Sequence, residues 1–267
     1  MSATISATQV KELRDQTGAG MMDAKNALVE TGGDIEAAKR LLREKGMAQA
    51  GKRAGRETSE GIVLVTVGGN VGALAAVGCE TEPVSKNDEF VQFAEKVLET
   101  VEAEGPDGLA ALEQERFEKV AKLGENISLR AARLEAGDGE LLADYVHPPA
   151  NKIGVLVKLK GGDPVLARQL AMHISWSAPS WVRREDVPED VVAQERDIYL
   201  NSDEVKSKPE QAREKIVEGM LGKRFFADKG GVLLDQPWIH DSAKSVAQAL
   251  SEAGAEVVAF ERLALAG

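Results

Sequence analysis

Residues 62–78 read IVLVTVGGNVGALAAVG. Ile62–Val67 is a run of mostly β-branched residues, Gly68-Gly69-Asn70 has turn chemistry, and 71–78 is a second small apolar run. Strand, tight turn, strand is a hairpin. Downstream of it the apolar period changes from two to that of a helix. Phe90, Phe93, Ala94, Val97 and Leu98 are spaced for one face of a helix of about 15 residues starting at Asn87. A second helix is predicted over roughly 107–123, and a strand from Ile127 to Leu134 closes the unit.

The same order returns. A strand is predicted at 141–146, then a turn through His147-Pro148-Pro149, then the strand Ile153–Val157. Asp163 is placed to cap a helix carrying Leu166, Leu170, Ala171 and Ile174. Much later come a helix over 243–253 and the strand Glu256–Leu265. Both copies thus run strand, strand, helix, helix, strand. The economical solution is an α+β fold in which an antiparallel sheet is covered on one side by helices. The second copy carries an insertion, roughly 183–230. It reads as a helix near 188–201, a polar break ending in Lys208-Pro209, and a helix over 210–226 with Ile216, Val217, Met220, Leu221 and Phe225 along one seam. Two helices joined by a short break form an antiparallel hairpin.

Upstream, the first 46 residues read as three short helices. Ser6 and Gln9 form a capping box, with Ile5 and Val10 as its hydrophobic staple. The first helix shows Val10 and Leu13 and stops at Thr17-Gly18. The second starts near Gly20, carries Met21, Ala24, Ala27 and Leu28 on one face, and ends at Gly32-Gly33. Asp34 caps the third, which shows Ile35, Ala38, Leu41 and Leu42 and is expected to end at Gly46. Helices this short are stable only when packed together. Residues 47–60 lose the periodicity and read as a linker. The expected units are 1–46, a linker at 47–60, a first core subdomain at 61–139 and a second at 140–267.

The 267 residues carry 33 Lys+Arg and 44 Asp+Glu, a net charge of −11. Residues 1–56 hold +3 of this and the rest −14. A basic stretch, Lys39, Arg40, Arg43, Lys45, Lys52, Arg53 and Arg56, suggests a nucleic-acid adapter. Cations at a helix C-terminus also suit the macrodipole, and the acidic body would repel a polyanion. Aromatics are 4%, few for stacking on bases. One cysteine excludes an internal disulfide. No apolar run approaches a membrane span, and Met1-Ser2-Ala3-Thr4 lacks the features of a signal peptide. These readings predict a cytosolic chain with no membrane contact.

Catalytic patterns are missing. The three histidines, His147, His173 and His240, form no ligand pair, and His173 sits among apolar helix neighbours as a core histidine would. There is no Cys-x-x-Cys, no His-Glu-x-x-His, no phosphate loop and no nucleophile elbow. Thr17-Gly18-Ala19-Gly20 joins two helices and follows no strand, so it is not a phosphate cradle. Cys79, beside Glu80, reads as a small buried hydrophobe, and a nearby carboxylate would raise its pKa. The residues describe an interaction protein, not an enzyme, with no cofactor and no metal.

Residues 13–33, LRDQTGAGMMDAKNALVETGG, followed by DIEAAKRLLREKG, resemble the start of the translation elongation factor Ts family. The resemblance continues through GCETEPVSKNDEF, KLGENISLR, HPPANKIGVLV, ARQLAMHIS, VPEDVVAQERDIYL, KPEQAREKIVEGMLGKRF and LLDQPWIHDSAKSVAQAL, in order over nearly the whole chain. It implies a ubiquitin-associated-like three-helix domain, a duplicated core, and a helical hairpin inserted in the second half. It also implies a guanine-nucleotide exchange factor for elongation factor Tu, which binds Tu and loosens its phosphate and magnesium contacts so that GDP leaves and GTP enters. The partner contacts it implies are Arg14, Met21 and Met22 against a helix of the nucleotide-binding domain of Tu, His147 near Tu, and the motif Thr81-Glu82-Pro83-Val84. One of Met21 and Met22 is expected to fill the bundle instead.

At 81–84 the family usually has Thr-Asp-Phe-Val, whose aspartate and phenylalanine enter Tu on the magnesium side. Here Glu82 keeps the charge on a longer arm, while Pro83 lacks the aromatic wedge and stiffens the loop. Two alternatives follow: a Tu-binding holder with weak exchange, or the nucleic-acid adapter through residues 39–56. Many relatives also continue past the last core strand with a helical module, whereas this chain stops at Ala266-Gly267, so a smaller footprint on Tu is expected. A homodimer or a two-to-two complex with Tu stays open.

Overall fold

A computed structural model describes residues 5–265. The opening Met1-Ser2-Ala3-Thr4 and the closing Ala266-Gly267, read above for a signal peptide and a missing module, lie outside the described residues. The chain is mixed α and β, with small antiparallel sheets.

Three helices come first: α1 (Ala7–Thr17), α2 (Met21–Glu30) and α3 (Ile35–Arg53). Local chemistry sets their ends. The Gln9 N–H donates to the Ser6 hydroxyl at 3.2 Å, and the Ser6 N–H donates to the Gln9 side-chain oxygen at 3.0 Å. Gly18 closes α1 in the left-handed conformation. Asp34 accepts from the Ala37 N–H at 3.0 Å to start α3. Val10, Leu13, Ala24, Ala27, Leu28 and Ala38 form the shared core. Met21, expected on the inner face of α2, is exposed instead, and the inner face is made by Ala24, Ala27 and Leu28.

The expected stop at Gly46 and the linker from 47 need correction. α3 runs on to Arg53. Gly46 is buried because it meets another helix: a Cβ there would lie 2.9 Å from the Ala121 Cβ. The glycine permits a close helix crossing rather than ending a helix. The Arg53 guanidinium then donates to the Val120 carbonyl at 3.3 Å. The last turns of α3 therefore pack on the core.

The first core unit is β1 (Glu60–Gly68), β2 (Val71–Cys79), a one-turn α4 (Glu82–Ser85), α5 (Asp88–Glu104), α6 (Leu109–Leu123) and β3 (Ser128–Glu135). The second is β4 (Glu140–Val146), β5 (Ile153–Lys160), α7 (Pro164–Ser177), the insertion, and a closing segment. The insertion holds α8 (Glu189–Asn201), α9 (Asp203–Lys206) and α10 (Glu210–Met220), and a π-helical turn over Leu221–Phe226 follows. The closing segment is β6 (Pro237–Trp238), β7 (Asp241–Ser245), α11 (Val246–Glu252) and β8 (Glu256–Ala264). The helix expected over 243–253 starts only at Val246, because Ser245 is its cap and the residues before it pair as a strand. The polar break of the insertion contains α9, whose Val205 is fully buried with Val217, Met220 and Leu221 in a core of its own.

The two three-stranded sheets have the orders β1-β2-β3 and β4-β5-β8, and β6 pairs with β7 in a small third sheet, all antiparallel. β2 and β5 are the central strands. Ala73, Ala75, Val77 and Cys79 of β2 pack against Phe90, Phe93, Val97 and Val101 of α5. Val155, Val157 and Leu159 of β5 pack against Leu170, Ala171 and Ile174 of α7. The second face of each sheet is not open. Val63, Leu74, Ala76 and Ala132 of the first sheet meet Leu156 and Leu265 of the second unit in a separate core. The reading of each sheet as covered on one side stops short of this sheet-on-sheet contact. Two glycines allow it: a Cβ on Gly72 would lie 2.6 Å from Leu156 Cδ1, and one on Gly154 would lie 2.5 Å from Val63 Cγ1.

Candidate functional site

Arg14 lies in the last turn of α1 and is exposed. Met21 and Met22 open α2 after the Gly18–Gly20 connection, 51% and 61% exposed. Neither methionine fills the bundle, so the expectation that one does is corrected. Two adjacent exposed thioethers make a flexible apolar surface suited to an apolar groove.

The segment Thr81–Val84 follows β2. Pro83 sits in the first turn of α4, where a missing N–H breaks no helical bond and the fixed φ suits the helix. Its effect is to start a helical turn rather than to stiffen an irregular loop. Glu82 and Pro83 are exposed. The Glu82 carboxylate pairs with Lys86 at 2.7 Å, and that hydrogen bond holds it below the usual carboxylate range. Val84 is half-buried against the core cluster under β2. The Thr81 hydroxyl donates to Glu125 at 2.5 Å. Thr81 is exposed like Glu82 and Pro83 but is tied by this bond, and Val84 anchors the turn from below.

His147 stands just after β4 and is exposed. Its Nδ1 lies 3.1 Å from the Tyr145 hydroxyl. Tyr145, His147, Met172, Trp176 and Ile239 line a shallow apolar hollow of about 240 Å³. Trp176 is 65% exposed, with the Lys229 ammonium 4.7 Å from its ring centre. Trp176 and Ile239 were missed in the sequence. The signal available was helical spacing: Trp176 falls off the stripe of Leu170, Ala171 and Ile174, so it points away from the core.

A cleft of about 380 Å³ separates the helical bundle from α6 and is lined by Gly20, Asp23, Arg43, Met47, Phe117 and Lys122, among others. Its cations are largely paired: Lys45 with Glu30 at 2.5 Å, Lys39 with Glu36 at 2.7 Å and Lys122 with Glu89 at 2.5 Å. Within the basic stretch, Arg53 is held by Val120 and Arg56 by Glu80. Of the seven cations in that stretch, Lys39, Lys45 and Arg56 thus face carboxylates, while Arg53 bonds a neutral carbonyl.

Cys79 is buried, and burial first, then Glu125, pushes its thiol up to about 12. It is not a nucleophile at neutral pH. His173 is buried, and burial lowers its pKa to about 4. Its ring stacks on Trp238 with centres 5.3 Å apart. Among the described residues no group of three or more His, Cys, Asp or Glu is placed to hold a metal ion, and no helix is long and apolar enough to cross a membrane.

The comparisons with known proteins are consistent with one another. A family model described as elongation factor TS matches residues 80–266. The chain is 45% identical over 273 residues to elongation factor Ts of Psychromonas ingrahamii, covering 98% of this chain and 91% of that protein. It is 42% identical over 269 residues to elongation factor Ts of Idiomarina loihiensis, covering 97% and 90%. It is 44% identical over 264 residues to elongation factor Ts of an Enterobacter species, covering 97% and 91%.

Proposed function

The chain belongs to the elongation factor Ts family, a family of nucleotide-exchange factors, and from that premise we propose that it binds elongation factor Tu through three exposed surfaces. The first is Arg14, Met21 and Met22 on the bundle. The second is the turn Thr81–Val84, with Glu82 and Pro83 as the contacting pair. The third is His147 with Trp176 and Ile239 beside it. The bundle is read as ubiquitin-associated-like, the core as a duplicated unit, and the working compartment as the cytoplasm. No cofactor or nucleic acid is required.

The observation that carries this reading is the exposure of Met21 and Met22 side by side at the start of α2, while other residues fill the bundle behind them. The mechanism is linkage. The chain binds nucleotide-free Tu more tightly than the GDP form, so GDP and the chain weaken each other's binding by one common factor. No covalent bond is made or broken. Glu82 brings negative charge, and Pro83 a rigid apolar edge, to a site where phosphates and a cation must be held. An exposed carboxylate that remains ionised competes with phosphate for that cation.

The test is release of a fluorescent GDP analogue from Tu of the same organism into excess unlabelled GTP, with the chain at one-twentieth of the Tu concentration. Complete release over many turnovers is expected. Release that stops at one Tu per chain would identify a holder instead, and an unchanged dwell time would overturn the proposal.

A further inference from the structure

Glu125 has no part in the contacts just described, yet its carboxylate gathers three donors from the turn that begins them. One oxygen accepts the backbone N–H of Glu80 and of Thr81, each at 3.0 Å, and the other accepts the Thr81 hydroxyl at 2.5 Å. Glu80 returns the contact: its carboxylate accepts the Asn126 N–H at 2.7 Å and pairs with Arg56 at 3.3 Å. The Asn126 side chain, 4% exposed, donates to the Arg56 carbonyl at 2.8 Å. The segment leaving α3, the turn after β2 and the connection from α6 to β3 thus meet in one hydrogen-bonded clasp. Val84 adds an apolar anchor on the far side of the turn.

We propose that Glu125 is a positioning residue for nucleotide exchange, holding Glu82 and Pro83 in the presented conformation through its bonds to Glu80 and Thr81. This rests on the reading of the Thr81–Val84 turn as a Tu contact. A carboxylate with three of its roughly four lone-pair sites taken has little capacity left for a partner. Its role is then a matter of hydrogen-bond geometry, not of charge. Glutamine fits that geometry: its oxygen can accept both N–H groups, and its NH2 can donate to the Thr81 hydroxyl. Alanine leaves two N–H groups without their partner, and the turn then samples other conformations. The rate of release falls with the fraction of chains that present the turn correctly.

The experiment is stopped-flow release of a fluorescent GDP analogue from Tu over a range of full-length chain concentrations, with amide hydrogen exchange over residues 80–85. Losing the clasp is worth about tenfold. Glu125→Gln is expected to stay within about threefold of the parent at saturation, whereas Glu125→Ala falls about tenfold and exchanges faster at residues 80–85. Parent-like release by Glu125→Ala would overturn the proposal. So would equal losses in both variants with residues 80–85 still protected, since that pattern means Glu125 touches Tu by charge. If Glu125→Ala does not fold, Thr81→Val removes one bond of the clasp and should slow release by about twofold to threefold; no slowing would count against the proposal. Glu82→Ala in the same series separates the two levels. Slow release by Glu82→Ala with normal release by Glu125→Ala defeats the positioning role alone, and normal release by both defeats the contact reading as well.

Discussion

His173 shows how a single side chain can carry a pH dependence without any role in exchange. Its Nδ1 accepts the Ile239 N–H at 3.4 Å, so Nε2 bears the hydrogen and donates to Gln236 at 3.0 Å. Both ring nitrogens are thereby engaged in the neutral form. Burial lowers the pKa from 6.5 to about 4, the nearby His240 acts in the same direction, and the Gln236 bond opposes them. The folded pKa lies below the unfolded one, so between pH 6.5 and 4 the unfolded state binds more protons. Stability from this group is full above pH 6.5 and falls as pH drops toward 4. The loss is up to roughly 3 kcal/mol. Urea unfolding of the parent and of His173→Gln, from pH 7 to pH 4, should show the parent losing more by about that amount. Parallel curves would show that His173 titrates normally.

At the scale of elements, local signals were legible and long-range packing was not. Ser6, Asp34 and Asp163 begin helices where the sequence places them, because a cap needs only its own next three residues. Gly46 misled for the opposite reason. A glycine in a polar stretch looks like a stop, and only Ala121, far along the chain, explains why it lies inside α3. Gly72 and Gly154 likewise read as ordinary strand residues, although each leaves room for a side chain of the other sheet. The outward Trp176 was missed although its spacing carried a local signal, whereas the Glu125 clasp joins segments that no local pattern connects. The crossing of α3 and α6 gives a prediction at this scale. Gly46→Leu introduces a side chain where even a Cβ is too close, and overpacking of this kind costs about 1–3 kcal/mol. The cheapest relief is for residues 47–53 to leave α6. Hydrogen exchange should rise over those residues and stay unchanged over β2 and β5. Uniform protection in the variant would mean that the crossing is looser than its geometry indicates.

For the whole molecule, the proposed contacts lie on separate elements, and this separates affinity from rate. The Thr81–Val84 turn is read as acting on the phosphate and metal site of Tu, whereas the hollow at His147 belongs to the second core unit and is apolar. A contact that binds all forms of Tu equally raises occupancy without favouring the nucleotide-free one, and only a differential contact shifts the equilibrium. Trp176 should therefore act as an anchor. A large exposed aromatic beside Ile239 and Met172 has the character of an interface hot spot, whose truncation costs about 2 kcal/mol or more. Trp176→Ala is expected to weaken binding to nucleotide-free Tu by about tenfold or more while the release rate at saturation stays within about twofold. Titration calorimetry with nucleotide-free Tu measures the first quantity, and stopped-flow release at high chain concentration measures the second. A reduced saturating rate with unchanged Kd would place Trp176 among the groups that distort Tu, and the division of labour between the two core units would then be wrong.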